Sequence, residues 1–269
     1  MSRLLNKIFR KAAQMYALRV ERGLFMNWLN PFATIYFNLR LLPLKDAVRL
    51  PIFVYGRPRV LSLYGHASVG GGRFGIVKLN RSRHVAGAPA NMGGKSEFNI
   101  WGLVVFKGTC QIGTGCKICV GENGKLEFGD EAKIMSQCHI TAYKSVEIGN
   151  NMLMAHASQI FDTSYHYVLD REKNIVKSIA SHVKIGDNCW ICNSSTIMGQ
   201  ITIPSNTIVA SHSLVIKDMN TIPEYSVVAG HPAKMVASGR ERVYSPKLET
   251  EINSFFSSHP DAEYMIIET

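Results

Sequence analysis

An all-β solenoid of six-residue repeats, with a helical appendage in front and a short tail behind, is the fold class the sequence predicts. Three observations carry it. From Ile185 onward an aliphatic residue recurs every six positions, through Ile191, Ile197, Ile203, Val209 and Val215. Four residues after each of the first five stand Cys189, Ser195, Ile201, Thr207 and Ser213, small in all cases but one. The same grid fits Ile148, Met154 and Ile160, then Phe106, Ile112 and Ile118, and again Phe128, Ile134 and Ile140. A period of six is neither the 3.6 of a helix nor plain alternation. It suits a chain that makes a short strand, turns and repeats. Three hexads close one triangular coil, and successive coils stack at about 4.8 Å, the spacing of hydrogen-bonded strands. The aliphatic side chain then fills the prism, and the residue four later sits at a crowded corner.

The elements follow in order. Residues 1–50 read as a basic helical segment. Over 4–22, Leu5, Ile8, Phe9, Ala12, Met15 and Tyr16 fall at helical spacing, with Arg3, Lys7, Arg10, Lys11 and Arg22 mostly off that stripe. A second apolar segment, Leu24 to Leu44, is broken by Pro31 and Pro43. Residues 51–236 form the solenoid, with Val60 to Lys95 as irregular early coils. A ten-residue step between Ile118 and Phe128 holds the turn sequence Gly121-Glu-Asn-Gly124. The large break, 161–184, is a polar loop thrown out of a rigid coil, a usual place for functional residues. Residues 237–269 are a polar tail with one short helix over 247–256.

The charge is unevenly placed. Residues 1–95 hold 16 Lys/Arg against two acids, whereas 96–269 hold 14 against 18. A basic front on a slightly acidic body excludes a whole-protein nucleic-acid binder and points to a surface-seeking N-terminus. No run of about 18 apolar residues suggests a membrane span, and no secretory signal is evident. The expected location is therefore cytoplasmic, peripheral on the inner face of the membrane, with reduced thiols. The pairs Cys116–Cys119 and Cys189–Cys192 have the CxxC spacing of zinc sites. The hexad register already generates that spacing, because a corner position and the one after the next aliphatic lie three residues apart. The cysteines therefore read as structural, and no metal is expected.

The repeat resembles that of the hexapeptide-repeat acyltransferases, whose fold is a left-handed parallel β-helix. That hand is implied by the resemblance alone, since crossover connections are ordinarily right-handed. The segment Ile148–Ile160 is similar to the coil preceding the catalytic histidine of galactoside and maltose O-acetyltransferases. In those enzymes a His, usually followed by Pro, comes just after the coil. Here the loop reads Phe161-Asp-Thr-Ser-Tyr-His-Tyr167, with Tyr167 in place of the Pro. The resemblance implies His166 as general base, and an imidazole titrating near neutrality suits that work. Asp162, four residues earlier, is expected to orient the ring. His139, His156 and His182 are not expected to take part. Val183–Asn193 is similar to the family's segment after the loop, with Cys192 where the family has Gly, and 209–217 and 228–234 complete its acetyl-CoA pattern. The match implies that Trp190, Asn193, Ser211, Ile216, Lys217 and Lys234 contact acetyl-CoA. The two lysines also have their own reason, since each supplies a mobile charge for a phosphate.

The function implied is acetyl transfer from acetyl-CoA to a sugar hydroxyl in surface-polysaccharide biosynthesis, by a homotrimer. For the basic front, residues 1–44, two readings stand side by side: adsorption to anionic lipid, and packing of its helix on the β-helix or on a neighbouring subunit. The alternatives are an N-acetyltransferase of a nucleotide-linked amino sugar, using the same His and CoA site, and a non-catalytic scaffold. A γ-type carbonic anhydrase shares the prism but needs a His pair that the sequence lacks.

Overall fold

The computed structural model describes residues 28–81 and 94–267. The basic helix expected over 4–22 lies outside these residues. Strands from Ile52 to Ala237 line up in three sheets of nine, seven and six strands, one for each side of a prism. The first face runs from Ile52–Val54 through Cys110–Ile112, Leu153–Met154 and Trp190–Ile191 to the closing pair Val227–Gly230 and Ala233–Ala237. The second runs from Arg59–Leu63 to Leu214–Val215, and the third from His66–Val69 to Ile201–Ile203. The ladders joining successive coils are parallel and in direct register, as in Ile112 opposite Ile134, Met154, Ile191 and Val209 in turn. With the hexad sequence, this is a parallel β-helix of the hexapeptide-repeat type.

The grid is the core. All fifteen of its aliphatic and aromatic positions are at most 4% exposed. Burying each such side chain stabilises the fold by about 1.5–3 kcal/mol. The early coils are more regular than the sequence suggests: His66–Val69 and Val77–Leu79 pair in register with Leu103–Phe106 and Cys110–Ile112, and Arg59–Leu63 pairs with Glu97–Ile100 across one register shift between Val60 and Ser62. Their glycine-rich connections obscure a strand pattern that is present.

Two devices turn the corners. Small buried residues donate to a carbonyl of the next coil: Cys116 Sγ to Met135 O (3.0 Å), Cys138 Sγ to Ala155 O (3.1 Å), Ser158 Oγ to Cys192 O (2.8 Å) and Ser195 Oγ to Ala210 O (2.9 Å). Between the third and first faces, Glu131, Asn151, Asn188 and Asn206 occupy the left-handed backbone region with φ between 52° and 59°. Asn tolerates that region because its short amide bonds locally. Here the amides also bond each other, Asn151 Nδ2 to Asn188 Oδ1 at 3.2 Å and Asn188 Nδ2 to Asn206 Oδ1 at 3.0 Å. At this corner Gly129, Gly149 and Gly186 stack so closely that a Cβ on Gly149 would lie 2.5 Å from the Gly186 carbonyl carbon.

Both ends are closed. Helix α1 (Pro31–Leu41) lies over the first coil, and a single turn, α2 (Leu44–Ala47), follows it. Pro31 opens α1 instead of breaking it, because its missing N–H would be unpaired in the first turn anyway. Asn30 caps the helix, accepting from Ala33 N at 3.0 Å. Phe37 is fully buried, edge-on to Phe98 at 5.4 Å. Asn38 and Thr34 satisfy the free edge of Ile52–Val54: Asn38 Nδ2 donates to Ile52 O (2.6 Å), and Thr34 Oγ1 accepts from Val54 N (3.0 Å). At the far end the chain reverses, and Ala233–Ala237 runs antiparallel to Val227–Gly230. Beyond it Arg242 Nη2 reaches back to Asn151 O at 3.2 Å. Helix α3 (Pro246–Ser258), longer than expected and capped by Ser245, buries none of its residues.

Candidate active site

The second face is left at Phe161 and the third is joined at His182. Between them the chain forms a β-hairpin, with Leu169–Asp170 antiparallel to Ile175–Val176. Asp170 Oδ1 builds its tip by accepting from Glu172 N and Lys173 N, both at 3.0 Å. The root is pinned by a Thr163–Ala180 bridge and by Ser164 N donating to Ile179 O at 3.0 Å.

Asp162 is fully buried at that root. Its carboxylate accepts three backbone N–H bonds from the corner one coil below: Tyr143 N (2.7 Å), Lys144 N (2.7 Å) and Ser145 N (2.8 Å). None of its bonds goes to His166, so the expected imidazole partner is instead the anchor of the hairpin. The reason is geometric, because the corner at 143–145 offers three converging donors and the ring lies on the exposed side of the loop. Burial pushes this carboxyl above the usual carboxylate range, and the N–H donors partly offset that.

His166 is exposed and lines an open groove of about 290 Å³ with Ser164, Val168, Asp170, Ile175, Lys177 and Ser178. Ser164 Oγ donates to its backbone carbonyl at 3.0 Å. The residue before it, Tyr165, has φ of 61°. Its phenol shares a 2.8 Å hydrogen bond with Thr141 Oγ1, which lies 3.2 Å from His139 Nε2. The His139 ring stands edge-on to Phe161 at 4.7 Å, and burial holds its pKa below the usual imidazole value. On sequence grounds His139 is set aside, and Tyr165 and Thr141 are given no role. The grid held a signal, since Thr141 lies one residue past the core position Ile140, in register with Phe161 at the start of the loop.

The residues implied for acetyl-CoA do not form one cluster in a single protomer. Asn193 and Ser211 meet at the corner between the first and second faces, Ser211 Oγ donating to Asn193 Oδ1 at 2.7 Å. Ile216 and Lys217 are exposed just past Leu214–Val215, at the corner that carries the hairpin two coils below. Lys234 is exposed on the closing hairpin, opposite Ala229. Trp190 lies on the first face, across the prism from the His166 corner. Its indole N–H is buried without a hydrogen-bond partner among the described residues.

All six cysteines are free, and five are buried. Burial pushes the Cys189 thiol up to about 12 and Cys110 higher still, so both stay protonated and unreactive at neutral pH. Among the described residues no three His, Cys, Asp or Glu side chains converge on a metal-sized site.

No protein-family model matches the chain. A Mycobacterium tuberculosis protein described as a probable acetyltransferase is 33% identical over 118 residues, 42% of this chain and 37% of that protein. An Escherichia coli protein, WbbJ, described as a putative lipopolysaccharide biosynthesis O-acetyl transferase, is 26% identical over 145 residues, 50% of this chain and 71% of its own. The sequence relatives are acetyltransferases. The chain thus spans little more than a third of the first and about seven-tenths of the second. Among solved structures, a hexapeptide-repeat acetyltransferase of Vibrio cholerae, complexed with acetyl-coenzyme A, is 23% identical over 56% of this chain and 71% of its own, with a TM-score of 0.36. The fold described above stands on the chain's own ladders.

Proposed function

We propose that the chain is an acetyl-CoA-dependent O-acetyltransferase that modifies a sugar hydroxyl during surface-polysaccharide assembly, with His166 as general base. The observation that carries the reading is His166 itself, held on a hairpin rooted in a rigid coil and facing an open groove. The acetyltransferase relatives support it, and the E. coli relative's description supports a polysaccharide acceptor.

In this mechanism His166 takes the proton of the acceptor hydroxyl as its oxygen attacks the thioester carbonyl. The C–S bond breaks, and the imidazolium returns the proton to the leaving thiolate. Asp162 and the Tyr165–Thr141 bond hold the root of the hairpin that carries the ring. Lys217 and Lys234 supply mobile charges for the cosubstrate's phosphates, and the Asn193–Ser211 pair offers hydrogen-bonding groups at the neighbouring corner. His166 and the Asn193–Ser211 pair project from different corners. A homotrimer whose sites lie between protomers, one giving its hairpin and the next its corner, accommodates that layout.

The test follows release of the free CoA thiol from acetyl-CoA with glycan acceptors. His166→Ala is expected to lower turnover by about 10²–10⁴-fold while acetyl-CoA affinity and the melting profile hold. Turnover equal to the parent's would remove His166 from the mechanism.

A further inference from the structure

The corner between the second and third faces differs from the other two. On successive coils it carries Tyr64, Trp101, Gly121 and Tyr143, and one coil further it opens into the His166 hairpin. The four positions line up because the residues before them, Leu63, Ile100, Val120 and Ala142, pair in direct register. Over the coils from Leu103 to Ile203 the other two corners carry no Phe, Tyr or Trp, whereas on the first coil, beside Tyr64, they carry Tyr55 and the 71% exposed Phe74. The rings are presented to solvent: Tyr64 is 63% exposed, Trp101 48%, Tyr143 41% and Tyr165 43%.

These rings are also held in place. Trp101 Nε1 donates to Asn99 Oδ1 at 2.9 Å, which fixes the indole plane. Tyr64 lies 4.8 Å from the indole, with the Arg40 guanidinium 5.4 Å from its own ring centre. Tyr143 stands edge-on to Tyr165 at 5.6 Å, joining the track to the residue next to His166. Gly121 interrupts it without a packing reason. A Cβ there would meet Tyr143 at 3.5 Å, an ordinary contact, whereas at Gly102 and Gly124 it would strike backbone at 2.2 and 2.1 Å. The Tyr143 ring leans over this position, its Cγ and Cδ2 lying 3.5 and 3.6 Å from where a Cβ would stand, so Trp101 and Tyr143 flank Gly121 as platforms two coils, roughly 10 Å, apart.

We propose that this track binds an extended oligosaccharide. Pyranose rings stack on Tyr64, Trp101 and Tyr143, the chain passes over Gly121, and a hydroxyl further along reaches His166. The chemistry is general: the C–H face of a pyranose is attracted to the negative face of an aromatic ring, and its hydroxyls stay in water. A single sugar would engage one platform, so the track selects chains over monosaccharides. The placement of the reacting hydroxyl rests on the acetyl-transfer reading of His166, whereas binding does not.

The experiment measures binding without acetyl-CoA, on an array of bacterial glycans from monosaccharides to octasaccharides, with indole fluorescence titration of the best binders. The parent is expected to prefer longer chains. Trp101→Ala and Gly121→Leu are expected to weaken them about tenfold or more, and Trp101→Phe to retain most of the affinity. Mass measurement on each variant accompanies the titration. Equal binding by all variants, no preference of the parent for chains, or loss of oligomer in Trp101→Ala would overturn the proposal, the last by making the track a subunit interface. If the parent binds chains but transfers no acetyl group, the platform stands and the enzymatic reading fails. If it acetylates monosaccharides and chains alike, the enzymatic reading stands and the platform falls.

Discussion

At the residue scale, Asp162 and His166 show how far sequence spacing can be trusted. Both stood out because they interrupt the hexad grid in one polar loop, and four residues separate a carboxylate from an imidazole in many working sites. The structure keeps His166 at the groove and gives Asp162 to the backbone of residues 143–145. That pairing joins neighbouring coils and depends on where the corner points its N–H groups, which no local pattern records. Asp162→Asn leaves one acceptor oxygen and turns an NH₂ group toward backbone donors. It is expected to destabilise the hairpin root by about 2 kcal/mol. Protease cleavage within 163–181, compared with global melting, measures the local share. A variant as resistant as the parent would show that the carboxylate does not anchor the loop.

At the element scale the coil was legible almost rung by rung, because one repeated position has to be apolar for the prism to fill. The corners were less so. The sequence marks the buried corner residue but not the asparagine that precedes it in the left-handed region, since an isolated Asn reads as any turn. Only stacking shows that Asn151, Asn188 and Asn206 bond one another from coil to coil. Asn188→Ala loses both amide bonds and puts a Cβ without a polar tip at φ of 57°. The expected cost is about 2 kcal/mol in denaturant unfolding. Asn188→Gly should recover the backbone share. Equal stability of the two variants would assign the whole effect to the amide ladder.

At the scale of the whole molecule, the largest revision concerns the front of the chain. Residues 1–44 read as one surface-seeking segment, yet Phe37 and Leu41 belong to the core and α1 is bonded to the first strand. Packing on the β-helix is the other reading the sequence leaves open for this front, and α1 takes it. The outer side of this cap still shows Phe32, Ile35, Tyr36 and Leu39 beside Arg40 and Lys45. Membrane adsorption therefore becomes a proposal about residues 1–27 together with that outer side. No helix among the described residues is long and apolar enough to cross a membrane. Liposomes rich in anionic lipid are expected to float the full chain, and to lose most of it when residues 1–27 are removed. Equal flotation of both forms would end the proposal.

The closed ends carry a consequence of their own. A stack of parallel rungs is a template on which further strands could be laid without limit, and its first and last rungs are where a second molecule would begin. Asn38 and Thr34 occupy the bonding groups of the first rung, and the reversed strand Ala233–Ala237 covers the last rung of the same face. Uncapping either end, by Phe37→Asp or by truncation before residue 227, should release end-to-end fibre growth that the intact chain suppresses.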